Sequence, residues 1–180
     1  MDNNRNRLVT GWALALVTLV SVAAQTDNVG TLNAWTIKPV TRIHAPVTEN
    51  PHIRTVRAAK QNNFDRVVFE FEGAIPNFRI EYLKSRIYES TAGRERLRLP
   101  GNVFLKINFF VITADERQMQ LSKAKNFVPR GRLRMPAVQS VKDKEFFEGY
   151  YDFLMGLSSR KPYRVTELSN PFRLVIDFKH

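Results

Sequence analysis

The sequence predicts an all-β domain, built as a sandwich or a small barrel. Apolar and polar residues alternate with a period of two through several short segments that are rich in β-branched and aromatic residues. Gly, Pro and Asn separate these segments, about seven or eight in all. No segment keeps a helical period for longer than about two turns, and no internal repeat indicates a propeller or a solenoid.

The composition fits one globular domain with a surplus of positive charge. Of the 180 residues, 43% are hydrophobic, and 28 Lys and Arg against 17 Asp and Glu give a net charge of +11. The absence of cysteine excludes a disulfide scaffold, a thiolate metal site and a cysteine nucleophile. The three histidines, His44, His52 and His180, are far apart in the sequence. We therefore expect a binding protein rather than an enzyme, with no cofactor and no metal.

Residues 1–24 have the layout of a secretory signal peptide. A positively charged start precedes the uncharged residues 8–24, and Val22 and Ala24 occupy the −3 and −1 positions of a cleavage site. An uncleaved membrane anchor formed by residues 8–24 is the alternative. In both cases we expect export to the periplasm or the extracellular cell envelope. Residues 25–51 are polar and contain three prolines, so we expect a linker or a loosely packed arm.

The clearest strand covers residues 66–72, where three apolar side chains share one face. A turn at residues 73–77 leads to residues 78–83, which alternate in the same way and are predicted to complete a hairpin. The last two strands flank a tight turn at residues 169–172. The other predicted strands are residues 103–109, 137–141, 150–154, 163–168 and 173–178.

Two segments do not show this alternation. Residues 85–98 are a polar stretch without an assigned element. Residues 113–135 are charged and weakly periodic, so we expect a long excursion, with a short helical turn near residues 115–121.

Four motifs, in the same order along the chain, carry a resemblance to a known family. They are residues 63–73 (NFDRVVFEFEG), 76–82 (PNFRIEY), 146–149 (FFEG) with Gly156 and Leu157, and 162–178 (PYRVTELSNPFRLVIDF). Together they resemble the AMIN-like domain of exported bacterial proteins, a relative of the AMIN domain found beside cell-wall amidases and in secretin components. The likeness covers about residues 52–180.

The resemblance implies one β-sandwich of two small sheets over residues 52–180, no enzymatic activity, and an envelope-binding or targeting role. AMIN domains are taken to place amidases on peptidoglycan. No catalytic domain follows in this chain, so we expect the domain to localise itself or a partner protein. The basic excursion at residues 113–134 departs from the family pattern, so the resemblance implies no binding surface through that segment.

Most of the excess charge lies between Arg79 and Arg134, where thirteen Lys and Arg against five Asp and Glu leave +8. Such a surface would attract peptidoglycan carboxylates, other anionic wall polymers or acidic lipid head groups. A solvated loop whose charges only maintain solubility is the alternative. Arginines at every second position, 94, 96 and 98, would share one face of an extended chain. The predicted ligand-binding residues rim one sheet face: Arg79, Lys106, Arg130, Arg132 and Arg134.

Other candidate sites have simpler explanations. Asp65 and Arg66 open the first strand and are expected to form a turn cap and a cross-strand ion pair. Asp177 and His180 near the chain's end could meet Asp65 or Glu81 at a metal, although scattered carboxylates and a lone histidine are seldom a ligand set.

Four aromatic residues fall opposite the assigned core: Phe104, Phe110, Phe147 and Tyr150. Exposed aromatic rings on a sheet can stack on sugars, but wrapping around the sheet edges or a register slip would explain the same pattern. The Ser158–Ser159 pair lacks the second glycine of a nucleophile elbow, so no serine hydrolase is predicted.

The preferred function is therefore a non-catalytic exported domain that binds peptidoglycan or an anionic wall polymer. A protein-interaction module of an envelope complex is the alternative. A small hydrolase with an unrecognised site is a further alternative, and nucleic-acid binding would require that the signal peptide assignment is wrong.

Overall fold

The computed structural model describes residues 32–46, 51–111, 129–147 and 149–180. The predicted signal segment, the start of the linker and residues 112–128 of the excursion lie outside this part. The described residues form strands and loops without a helix, so none of them belongs to a helix that could cross a membrane. The all-β prediction is thus confirmed for this part of the chain. Its strands are β1 (Val40–Arg42), β2 (His52–Lys60), β3 (Phe64–Glu72), β4 (Asn77–Tyr82), β5 (Ile87–Ser90), β6 (Gly93–Arg96), β7 (Val103–Phe110), β8 (Val138–Phe147), β9 (Tyr150–Leu157), β10 (Tyr163–Ser169) and β11 (Phe172–Lys179).

The strands form three antiparallel sheets. A five-stranded sheet has the order β1-β4-β7-β9-β8, a four-stranded sheet has the order β10-β11-β3-β2, and β5 pairs with β6 alone. Strands β10 and β11 are joined by the predicted tight turn, since Ser169 pairs with Phe172.

The predicted hairpin between β3 and β4 is wrong. Strand β3 pairs with β2 and β11, whereas β4 pairs with β1 and β7 in the other large sheet. Gly73, with φ of 82°, takes the left-handed conformation that glycine permits, and the chain passes there from one sheet to the other. Both strands still turn their apolar residues toward the same core, which is why their alternation resembles that of a hairpin.

One hydrophobic core joins the two larger sheets. Phe69 of β3 contacts Phe109 of β7 and Phe153 of β9, with ring centroids 5.2 and 5.1 Å apart in edge-to-face geometry. All three rings are almost fully buried. Aromatic pairs of this kind contribute about 0.5–1.5 kcal/mol beyond the burial of their area. The inner faces of the two sheets are therefore held together by the alternation that the sequence displays.

Part of the predicted linker is packed into the fold. Thr36 forms an isolated bridge with Tyr163 of β10, and β1 pairs with β4. Val40 is only 1% exposed. Residues 32–46 are thus not a loosely packed arm, because they supply hydrogen bonds to strand edges in both larger sheets that would otherwise lack partners.

The hairpin of β5 and β6 lies over the outer face of the five-stranded sheet, the face directed away from the shared core. Tyr88 and Leu97 pack there against Phe104 and Leu154 in a second, smaller apolar cluster. This hairpin occupies the stretch that the sequence left without an element. It also explains why Phe104 is buried although alternation places it opposite the main core.

Candidate functional site

Two of the predicted binding residues, Arg79 and Lys106, lie on the outer face of the five-stranded sheet. Arg79 of β4 donates a hydrogen bond to Glu81 at 3.0 Å. The Lys106 Nζ atom of β7 is 3.7 Å from a carboxylate oxygen of Asp152. Both cations therefore have an internal carboxylate as a partner, which reduces the positive charge that they present to a ligand.

Asp152 of β9 links the hairpin to the sheet. Its side chain is 9% exposed and accepts hydrogen bonds from the Tyr88 hydroxyl at 2.7 Å and the Asn108 amide at 2.6 Å. Lys106 supplies a positive charge beside it. A buried carboxylate is costly unless it is paired and hydrogen-bonded, and here both conditions are met. Lys106 is therefore part of the attachment of the hairpin to the sheet.

The other three predicted residues, Arg130, Arg132 and Arg134, are exposed in an irregular segment next to β8. The Leu133 amide in this segment donates to the Gln139 carbonyl at 2.8 Å. Strand β8 is separated from β4, which carries Arg79, by two strands, or about 14 Å at the usual spacing. The two groups therefore lie on or next to different strands of the described sheet, and their common binding role stays a prediction.

The structure instead brings four cations together between the hairpin and β8. Arg96 and Arg98 face Lys142 and Lys144 across a cavity of about 380 Å³. We call this cavity the cationic cleft. Its other lining residues are Glu95, Leu97 and Leu99. With one carboxylate against four cations, the cleft has a formal charge of +3.

The local sequence explains this arrangement. Leu97 is buried against the outer face of the sheet, so its neighbours Arg96 and Arg98 are exposed on either side of it. Lys142 pairs with Leu154 of β9, and Leu154 lies beneath the hairpin. The Lys142 side chain is exposed next to the hairpin. The arginine periodicity was visible in the sequence, whereas the lysines of β8 lie beyond the predicted strand at residues 137–141.

Lys144 and Glu95, which both line the cationic cleft, form an ion pair. The Lys144 Nζ atom also lies 5.4 Å from the centroid of the Tyr88 ring. A second cavity of about 390 Å³ is lined by both members of this ion pair, by Tyr88 and Arg94, and by the turn of the hairpin. We call it the hairpin cavity. The ion pair therefore lies between the two cavities.

A second group of cations lies on the outer face of the four-stranded sheet. Arg66 and Arg164 both donate hydrogen bonds to Asp177, at 2.7–3.0 Å, and this carboxylate is almost fully buried. The hydrogen bond to Asp177 raises the pKa of Arg66 above its usual value. Arg164 also stacks on Trp35, with the guanidinium carbon 4.8 Å from the ring centroid. The cross-strand ion pair expected for Arg66 is confirmed, and this group holds the sheet surface together.

Asp65 and His180 form a hydrogen-bonded pair in which the Asp65 side chain is fully buried. His180 Nε2 lies 2.9 Å from one carboxylate oxygen of Asp65, and the other oxygen accepts the amides of Ala137 and Val138 at 2.6 and 2.8 Å. Within the described residues, no group of three or more His, Asp and Glu could hold a metal ion. Asp65 thus fixes the beginning of β8.

Three of the four aromatic residues form a row across β7, β9 and β8. Phe110 pairs with Tyr150, which pairs with Phe147. The Phe110 and Tyr150 rings stack with centroids 6.1 Å apart, and Tyr150 and Phe147 are 53% and 46% exposed. Their predicted position opposite the core is confirmed.

The described residues thus form an all-β domain with a basic cleft on its surface. The family model of the AMIN-like domain matches residues 51–180, so the chain belongs to the AMIN-like domain family. Domains of this family are non-catalytic binding modules, and the family points to association with the cell envelope. No curated protein and no solved structure shows a significant match.

Proposed function

We propose that this protein is an exported β-sandwich domain that binds peptidoglycan or another anionic polymer of the bacterial envelope, and so localises itself or a partner. The observation that carries the proposal is the cationic cleft, where four cations face one carboxylate. The predicted signal segment at residues 1–24 would deliver the domain to the periplasm or the cell surface, or keep it on the membrane through residues 8–24.

The distribution of ion pairs favours the cleft over the basic surfaces around Lys106 and around Arg66 and Arg164. Asp152 sits beside Lys106, and Asp177 offsets part of the charge of Arg66 and Arg164. In the cleft, the one carboxylate already contacts Lys144, and three further cations line the same cavity. Unbalanced charge lining a concave surface raises the local concentration of anions and accelerates their association.

The proposal is tested by sedimenting the purified protein with sacculi at low and high salt. We expect binding at low salt that falls steeply as salt rises, because the exposed charges are screened. The variant R96Q/R98Q/K142Q should lose most of the binding. The control R54Q/R57Q/K60Q removes the same formal charge from β2, where Arg54 and Arg57 lie near Glu72 and Glu70, and it should retain binding. Equal losses in both variants, or no sedimentation at low salt, would contradict the proposal.

The five residues predicted from sequence alone are tested in the same assay. If the exposed Arg130, Arg132 and Arg134 contribute, the triple glutamine variant should weaken binding beyond the effect of the β2 control. Because Arg79 and Lys106 already have internal carboxylate partners, we expect smaller effects from R79Q and K106Q.

A protein-interaction module of an envelope complex is the second candidate function. It is favoured by the aromatic row, since contiguous exposed aromatic residues are enriched at protein interfaces. Cross-linking in the envelope should then retrieve one partner protein, and the variant F147S/Y150S should lose it. Sacculus binding that does not change in this variant would separate the two functions.

A further inference from the structure

The ion pair of Lys144 and Glu95 divides a longer groove. Both residues line the cationic cleft of about 380 Å³ and the hairpin cavity of about 390 Å³. Glu95 is 47% exposed at its side chain, whereas Lys144 is 21% exposed and lies over the Tyr88 ring. The lysine is thus packed against the hairpin, and the glutamate is the more exposed partner, so an anion from solution reaches the ion pair from the glutamate's side.

We infer that Glu95 occupies the place of a ligand's anionic group on Lys144, and that a polyanion displaces it to bind along both cavities. This inference rests on the proposed function. Of the residues that line the two cavities, only Glu95 and Lys144 line both, so moving the Glu95 carboxylate off Lys144 would open a path from one cavity to the other. Arg94, which is paired with Glu89, lines only the hairpin cavity, and Arg98 lines only the cationic cleft, so a bound chain would contact both.

The consequence is selectivity for chains over single anions. A small anion gains contact with one or two cations but must still compete with Glu95. A chain with regularly spaced anionic groups contacts the cleft first, and its next group then competes with Glu95 at a high effective concentration. Carboxylate and phosphate groups can both pair with these cations, so the experiment compares a polycarboxylate with a polyphosphate.

The test measures the binding affinities of the purified protein and of the variants E95Q, K144Q and E95Q/K144Q. The ligands are poly-L-glutamate and inorganic polyphosphate as the two polymers, and acetate as the small anion. The control is E72Q, which removes the same charge from an exposed glutamate 3.9 Å from Arg54 on the four-stranded sheet. Because exposed ion pairs contribute little, we expect E95Q to bind the better polymer about two- to fivefold more tightly than E72Q does. Acetate affinity should change less, and the gain should vanish in the K144Q background.

The outcomes separate this inference from the proposed function. Equal affinities of E95Q and E72Q, or a gain that persists without Lys144, would overturn the inference while the loss of binding in R96Q/R98Q/K142Q still supports the cleft. If the triple variant binds the polymers as the unmodified protein does, the proposed site is wrong. If neither the unmodified protein nor E95Q binds either polymer, both are contradicted.

Discussion

Removing the Asp152 carboxylate should loosen the hairpin that forms one wall of the cationic cleft. In Asp152→Ala, the Tyr88 hydroxyl and the Asn108 amide each lose one hydrogen bond to this carboxylate, and Lys106 loses the carboxylate beside it. Hydrogen bonds to a charged group contribute about 1.5–3 kcal/mol each, and breaking a buried pair costs about 3–5 kcal/mol. Because the variant also removes the cost of burying the carboxylate, we expect a loss of about 3 kcal/mol.

The loss is measured as the change in the free energy of unfolding in urea. Tyr88→Phe, which removes one of the hydrogen bonds, should cost about 1.5 kcal/mol. Glu72→Ala removes a carboxylate from an exposed pair and should change stability by less than about 0.5 kcal/mol. Hydrogen exchange supplies the local readout. Relative to the unmodified protein, Asp152→Ala should accelerate exchange of the β5 and β6 amides more than that of the β3 amides. A loss in Asp152→Ala no larger than in the Glu72 control, or unchanged exchange in the hairpin, would refute this reasoning.

Three further predictions concern stability. Gly156→Ala should cost about 3 kcal/mol in urea unfolding, because its Cβ would lie 1.9 Å from a backbone carbonyl oxygen, whereas Gly131→Ala, with φ of 76° and open space around it, should cost about 1 kcal/mol. Equal costs would contradict this. Burial raises the pKa of Tyr82 from 10.0 to about 12. The stability that this shift contributes is therefore complete below pH 10 and is lost as pH rises through about 12. Tyrosinate absorbance should reveal this late titration, and Tyr82→Phe should remove it. Asp65→Ala should destabilise by about 3 kcal/mol and His180→Ala by about 1 kcal/mol, since only the first also frees two backbone amides; equal losses would show that the amide contacts contribute little.

The strands were predictable where their pattern is local. Phe69 and Phe71 of β3, and Leu174 and Ile176 of β11, face the core as their alternation indicates. Strand pairing is not local, because it depends on which edges are free elsewhere in the fold. Gly73 marks a turn in the sequence, but nothing at that position states whether the next strand returns to the same sheet or enters the other.

The hairpin of β5 and β6 was missed for a different reason. Its contact with the sheet depends on Tyr88 and on Leu97 just after β6, and the residues around them are mostly polar because they face solvent. Two apolar residues do not make a detectable period. The cleft could not be predicted from the sequence either. The spacing of Arg96 and Arg98 predicts a shared face, but the opposing lysines come from β8, which is distant in the sequence.

The binding residues predicted on charge alone illustrate the limit of counting charges. Lys106 belongs to the region of highest net charge, yet its nearest carboxylate, Asp152, comes from the neighbouring strand. Arg66 meets Asp177 in the same way across a strand pair. Whether a cation is available to a ligand depends on such pairings, and these follow from the sheet register.

The most direct test of the central claim is to map the ligand on the folded protein. Amide chemical shifts of the isotope-labelled protein are followed while poly-L-glutamate is added at low salt. We expect the largest changes in residues 94–99, Lys142 and Lys144, which line the cationic cleft and the hairpin cavity, and we expect these changes to disappear at high salt. Changes concentrated in residues 129–134, or on the outer face of the four-stranded sheet around Arg57 and Arg164, would contradict the assignment of the site.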